Sequence, residues 1–424
     1  MSINTVFHIR KNQLRATGKG FVSWSQLKIR LVCKNREAGT TDIKVPVPRL
    51  YVAAAGIFCI LALSGPLRAE VGVTSTEIHL GQSTALTGPQ SHSGTEFTSG
   101  AKLQFDDINS RGGVHGRRIK LTTLDDGYQP EKSAENVAKL ISEGEVFSIF
   151  GVLGAPNTAT ALPVASNRKV PFLFPMNGDP AIRRVPNRYY FTAHASFEME
   201  AEKIVDQLTL TGIRKIGVAH LDNPYGKGIL AAVRKSLEQR QLTPAGVIAF
   251  DISGKDASVA ADALYESKPN AIILGGAGKA IPDFIAAYQK KSRGTRFIAL
   301  SGVGSDFLIK TLGPASAGIV VSQTMPYPWA LSASIVRDYQ RLKSARDQSA
   351  YNYINLLGFV SARVLTEALQ RTGKELTRER LISTLESMRL VDLGGFVVDF
   401  SPENHHGSKL VDLTFIDGKG KFVK

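Results

Sequence analysis

Cysteine is almost absent from this chain: its 424 residues include two, Cys33 and Cys59, and none follows. Beyond residue 59 there is therefore no disulfide, no thiolate metal site and no cysteine nucleophile. Long apolar runs are also scarce. The uncharged stretch LYVAAAGIFCILALSGPL, Leu50 to Leu67, is strongly apolar only from Tyr51 to Leu63, short of the roughly 20 residues that span a bilayer as a helix. Catalytic motifs are missing too. GGAGKA, Gly275 to Ala280, has Ile273 where a phosphate loop needs its first glycine and Ala280 where it needs a magnesium-holding Ser or Thr. The chain has no G-x-S-x-G elbow and no H-E-x-x-H pair. His405-His406 falls in a turn and reads as solvated rather than metal-binding, and Asp125-Asp126 reads as a polar strand end. No enzyme constellation, metal or cofactor is expected.

What the chain has in excess is positive charge, but not evenly. Of the net +15, residues 1–69 carry +9, from 11 Lys/Arg against Glu37 and Asp42, leaving +6 for the rest. Beyond residue 69 the basic residues are scattered without aromatic interleaving, which argues against nucleic acid. The basic run, the apolar stretch and LRA read as a secretory leader cut after Ala69. A retained membrane anchor is the competing reading, and bulky Phe58 before Cys59 speaks against lipidation. The first 50 residues are long for such a leader and read as an over-extended translation start.

From residue 77 strands and helices take turns: IHLGQS, helix 95–110, RIKLTTLDD, helix 130–142, VFSIFGV, helix 157–168, PFLFP. A second series runs from helix 197–211 to GIVVSQT near residue 323. Alternation of this kind predicts parallel sheets covered on both faces, here two doubly wound α/β lobes. Two helices between 332 and 372, a third at 378–388, and the strands GFVVDFS and KLVDLTFID complete them.

SIFGVLGAPNTAT, Ser148 to Thr160, is a buried strand followed by small and polar residues where a helix begins. Asn157-Thr158 read as the N-cap. A helix N-terminus at the carboxyl end of a parallel strand suits an anionic group, although an ordinary turn binding nothing has the same pattern.

LGQSTALTGPQSHSGTEFTSGAKLQFDDINSRGGVHGRRIKLTTLDDGYQP resembles the opening of the periplasmic leucine/isoleucine/valine-binding family, as do NPYGKG (Asn223–Gly228) and LGGFVVDFSPENHHGSKLVDLTFI, so the likeness covers residues 77–418. It implies two lobes, 70–193 with 326–395 and 194–325 with 396–424, joined by three hinge strands near 191–193, 323–326 and 396–400. It further implies a solute trapped between the lobes, delivery to the permease of an ABC importer in the inner membrane, a periplasmic location and a monomer. A sensing module of the same fold that signals to a membrane partner is the alternative.

The family's ligand-binding pattern carries over in part. Where relatives place a carboxylate-binding serine stands Ala155; where a threonine touches carboxylate and ammonium stands Gly178; where an acid pairs the ammonium stands Ser301; and Ala277 replaces an aromatic. Tyr225 matches. Asn157, Thr158 and Asn177 complete the expected site, with Ser93 at the first-lobe lip and His92 beside it. A buried ammonium without a partner costs several kcal/mol, so the missing acid argues for an organic or aromatic acid over a free amino acid, unless Asp306 or Glu96 supplies the charge. The small residues at 155, 178 and 277 are expected to leave room for a larger neutral body.

Overall fold

The computed structural model describes residues 70–346 and 349–424; the expected leader and its cut after Ala69 lie outside the described residues. The first series is β1 (Glu77–Thr84), α1 (Ser91–Ser110), β2 (Arg118–Asp125), α2 (Pro130–Ser142), β3 (Ser148–Phe150), α3 (Ala155–Asn167), β4 (Phe172–Leu173), α4 (Pro180–Arg183) and β5 (Tyr190–Phe191). The second is α5 (Phe197–Leu210), β6 (Ile216–Leu221), α6 (Pro224–Glu238), β7 (Gly246–Phe250), α7 (Ala257–Tyr265), β8 (Ala271–Gly275), α8 (Ala280–Gln289), β9 (Arg296–Ala299), α9 (Ser305–Leu312) and β10 (Val320–Gln323). The remainder is α10 (Ser334–Arg346), α11 (Tyr353–Thr372), α12 (Arg378–Glu386), β11 (Val391–Asp392), β12 (Val397–Val398), β13 (Asp412–Ile416) and β14 (Phe422–Val423).

These boundaries follow from local chemistry. Asn223 caps α6, its side chain accepting from Gly226 N at 2.9 Å, and Pro224 sits in the first turn where its missing N–H costs nothing. Ser196 caps α5 in the same way, accepting from Met199 N. Strands β3 and β8 are wholly buried, as parallel strands covered on both faces must be.

The first sheet has the order β2-β1-β3-β4-β5, and every pairing is parallel. The second has the order β14-β13-β10-β9-β8-β6-β7; it is parallel from β10 to β7 and turns antiparallel at β13 and β14. Two doubly wound lobes result. No helix among the described residues is long and apolar enough to cross a membrane.

The chain passes between the sheets after Phe191 and after Gln323, whereas the 396–400 segment stays with the first sheet. Phe400 packs on Phe174 and Phe191, with ring centroids 6.3 and 5.7 Å apart, and Phe400 N donates to Met388 O. The strand that runs beside the first crossing is 405–407: Thr192 N donates to His405 O, and Gly407 N to Thr192 O. The reason lies in the histidine pair, which is not a solvated turn. His405 stacks on Phe191 at 3.9 Å, and His406 Nδ1 meets Thr192 Oγ1 at 3.0 Å. Burial, and then the nearby Arg183 charge, push the His406 pKa down to about 4.

Candidate ligand cleft between the lobes

The segments following β1, β3, β4, β6, β8 and β9 converge on one crevice, where a doubly wound fold places its ligands. A cavity lies there, lined from both series of elements. Its first-lobe wall is Gln90, Tyr128, Leu153, Gly154, Ala155, Met176, Asn177 and Gly178, with Tyr353, Ile354 and Leu357 from α11. Across from it stand Phe197, Glu200, Tyr225, Ala277, Ser301 and Gly302, with His194 and Gln323–Met325 at the crossings. The lips touch: His92 Nε2 lies 2.6 Å from Asp306 Oδ2, and the His92 ring packs near Phe307.

Six of the nine residues singled out from the sequence thus meet in one cavity: Ala155, Asn177, Gly178, Tyr225, Ala277 and Ser301. The other three lie elsewhere. Ser93 is buried in α1 at the lip, facing Gly304. Asn157 and Thr158 are wholly buried in the first turn of α3, Asn157 beside the Asp126 carboxyl, and Thr158 N donates to Gly154 O.

They are not the helix cap. Gly154 is, at φ +95°, and a Cβ there would come within 2.6 Å of the Tyr128 ring. Pro156 fills the first turn without needing a donor, so α3 begins two residues earlier than the Asn-Thr pair suggests. What the turn offers the cavity is backbone at Gly154 and Ala155, not a hydroxyl.

The second correction concerns space. An ideal Cβ on Gly178 would lie 2.4 Å from Phe197 Cδ1. The volume expected to be free at Gly178 is filled by that ring, which also packs on Tyr225 at 5.4 Å between centroids.

The third concerns charge. Neither Asp306 nor Glu96 reaches the cavity: Asp306 pairs with His92, and Glu96 accepts from Asn352 and Asn355. A different acid does. Glu200, on α5 and 1% exposed, accepts from Ser301 N at 2.8 Å and from Ser322 Oγ at 2.6 Å, both on Oε2. Burial raises its pKa, opposed by those two hydrogen bonds and by the Arg183 charge.

Among the described residues lining the cavity there is no Lys or Arg, and burial followed by Arg183 pushes the His194 pKa down to about 3, leaving it neutral. Three other lining residues keep a buried polar atom without a hydrogen-bond partner: Tyr225 Oη, Gln323 Oε1 and Tyr353 Oη. The sequence did carry a signal for Glu200. It interrupts the buried stripe Phe197, Ala201, Ile204, Val205, Leu208 of α5, and a charge on an apolar face is the exception that asks for a reason.

The chain matches the family model described as "Periplasmic binding protein" over residues 77–421. It belongs to the periplasmic binding protein family. The leucine-, isoleucine-, valine-, threonine- and alanine-binding protein of Pseudomonas aeruginosa is 21% identical over 326 residues, 75% of this chain and 84% of that protein. A substrate-binding periplasmic protein from Ralstonia solanacearum superposes with a TM-score of 0.77 at 26% identity, covering 82% of this chain and 99% of the other. A fatty acid ABC transporter substrate-binding protein from Thermomonospora curvata gives a TM-score of 0.76 at 21% identity, covering 84% and 92%. Periplasmic binding proteins bind solutes without transforming them.

Proposed function

We propose that the protein is the solute receptor of an ABC importer of the branched-chain amino acid type. Exported by its leader and cut after Ala69, it works as a monomer, closing on a small organic solute, an organic or aromatic acid or an amino-acid-like compound, and delivering it to the permease. The observation that carries this reading is the single cavity lined from both lobes, with the lips in contact at His92 and Asp306. Solute that bridges the lobes stabilises the closed form by its differential affinity. The first lobe is taken as 70–193 with 326–407 and the second as 194–325 with 408–424, because 396–407 packs on the first sheet. Backbone N–H groups at the start of α3 receive an acidic group of the solute, and Tyr225 closes over it from the other side.

The test is a thermal-shift screen of the exported protein against amino acids and against aromatic and aliphatic carboxylates. A solute at 100 times its Kd adds about 2.7 kcal/mol of stability, which a melting curve resolves. Stabilisation by members of either panel supports the receptor reading; none by any member removes it. N-terminal sequencing of the exported protein gives Glu70 as its first residue if the leader is cut as expected, whereas a retained leader favours the sensing module.

A further inference from the structure

We infer that Glu200 is the residue that selects the solute, admitting molecules that present an N–H donor head to its carboxylate. This rests on the reading that the cleft between the lobes holds the solute, and adds to it what the second-lobe wall demands.

Position 301, where a relative's acid would stand, carries a serine, and its backbone N–H is bonded by the carboxylate of Glu200, arriving from α5 instead. Among the described residues lining the cavity no Lys or Arg faces Glu200; Arg183, whose charge acts on Glu200 from behind the wall, donates through its two terminal nitrogens to the carbonyls of His194, Asn177 and Ala195.

Both protein donors, Ser301 N and Ser322 Oγ, converge on Oε2. A buried carboxylate asks for further donors, and an unmet polar group costs about as much as a lost hydrogen bond or more. Gln323, the neighbour of Ser322 at the second crossing, adds another buried acceptor without a partner, Oε1, while its amide donates to Thr414 Oγ1. Tyr225 Oη is a hydroxyl in the same position.

The second-lobe end of the cavity therefore presents two acceptors, Glu200 and Gln323 Oε1, beside the Tyr225 hydroxyl, which donates or accepts, whereas Phe197, Met325, Ile354 and Leu357 offer only apolar surface. The solute class that fits is a primary or secondary ammonium, or another N–H head, on an apolar body. A carboxylate without such a head would bring further acceptors and no donor to Glu200 and Gln323 Oε1.

The experiment is isothermal titration of the purified exported protein with matched probes: L-leucine against 4-methylpentanoate, L-phenylalanine against 3-phenylpropanoate, and 3-methylbutylamine and 2-phenylethylamine as heads without an acid. Each is repeated with Glu200→Gln, whose amide oxygen still accepts from Ser301 and Ser322. The expected result is that amine-bearing probes bind at least tenfold more tightly than their matched acids, and that Glu200→Gln removes or reverses the preference while the ligand-free melting temperature stays within a few degrees. A merely structural Glu200 would weaken both members of a pair alike, and that outcome overturns the inference. Binding of the acids as tightly as the amines overturns it too, and leaves the receptor reading standing. No binding by any probe overturns the receptor reading and this inference with it.

Discussion

The two walls of the cleft are built by different means. The first-lobe wall is a strand-to-helix turn whose contribution is main chain: Gly154 at a positive φ, Ala155 at the start of α3, and Gly178 pressed against Phe197. The second-lobe wall works through side chains held on helices and crossings: Glu200 on α5, Tyr225 on capped α6, and Gln323 leading out of β10. A main-chain wall presents no side-chain chemistry, so it says little about its ligand. A side-chain wall names its chemistry, and here it is an acceptor wall with one buried carboxylate.

The sharpest way to break the contrast is to give the first wall a side chain. Gly178→Thr drives a Cβ into the Phe197 ring. Overpacking of this kind costs roughly 1–3 kcal/mol, read as a lower urea midpoint at unchanged slope. Pairing it with Phe197→Val restores part of the loss if the ring is the cause; a purely additive pair would show that the collision is relieved elsewhere.

Removing a main-chain donor comes next. Ala155→Pro deletes the N–H at the first helical position, where proline is well tolerated, so the fold is kept while affinity for an acid-bearing solute falls about tenfold, roughly 1.4 kcal/mol. Ala155→Ser changes affinity much less. Equal effects of the two substitutions in calorimetry would mean that the wall does not work through its main chain.

On the opposite wall Tyr225→Phe isolates a side-chain contribution. Its hydroxyl is buried with no partner, packed against Gly302, so deleting it leaves the ligand-free melting temperature unchanged or raises it, by an amount worth up to about 1 kcal/mol. Solute affinity falls several-fold. A lower melting temperature with unchanged affinity would mark the tyrosine as structural.

The same division explains how much could be read in advance. Alternating segments of period 2 and period 3.6 predict both lobes, and α2 has the expected boundaries, because sheet layering and caps are local chemistry. Six cleft residues emerge from the family resemblance because strand ends are fixed by topology. The resemblance failed where it compared positions one at a time. It expected no acid at Ser301 and room at Gly178, whereas α5 brings Glu200 to the Ser301 N–H and Phe197 against Gly178, three residues apart on one helical face. Such placement is tertiary, and position-by-position comparison does not reach it. Asn157 and Thr158 misled for a different reason: they are good capping residues, but a glycine with positive φ followed by proline had already started the helix.

The smallest expected effect lies at the lip, where neither wall recognises solute. His92 Nε2 and Asp306 Oδ2 join the lobes at 2.6 Å, and that hydrogen bond, outweighing partial burial, raises the His92 pKa above 6.5; Glu96 adds to the rise and Lys310 opposes it. A group whose pKa is raised by folding contributes stability that is fully present below its unfolded value and is lost as pH rises through the folded one. Closure is therefore favoured on the acid side of pH 6.5 and loosens above the raised value. With the side chains 38% and 33% exposed, solvent screening keeps the contribution under about 1 kcal/mol. Small-angle scattering of the ligand-free protein from pH 5.5 to 8.5 should show a modest expansion that His92→Gln removes. If the variant expands over the same window as the wild type, the pair is only a surface contact, and the lobes are held together by the cleft walls alone.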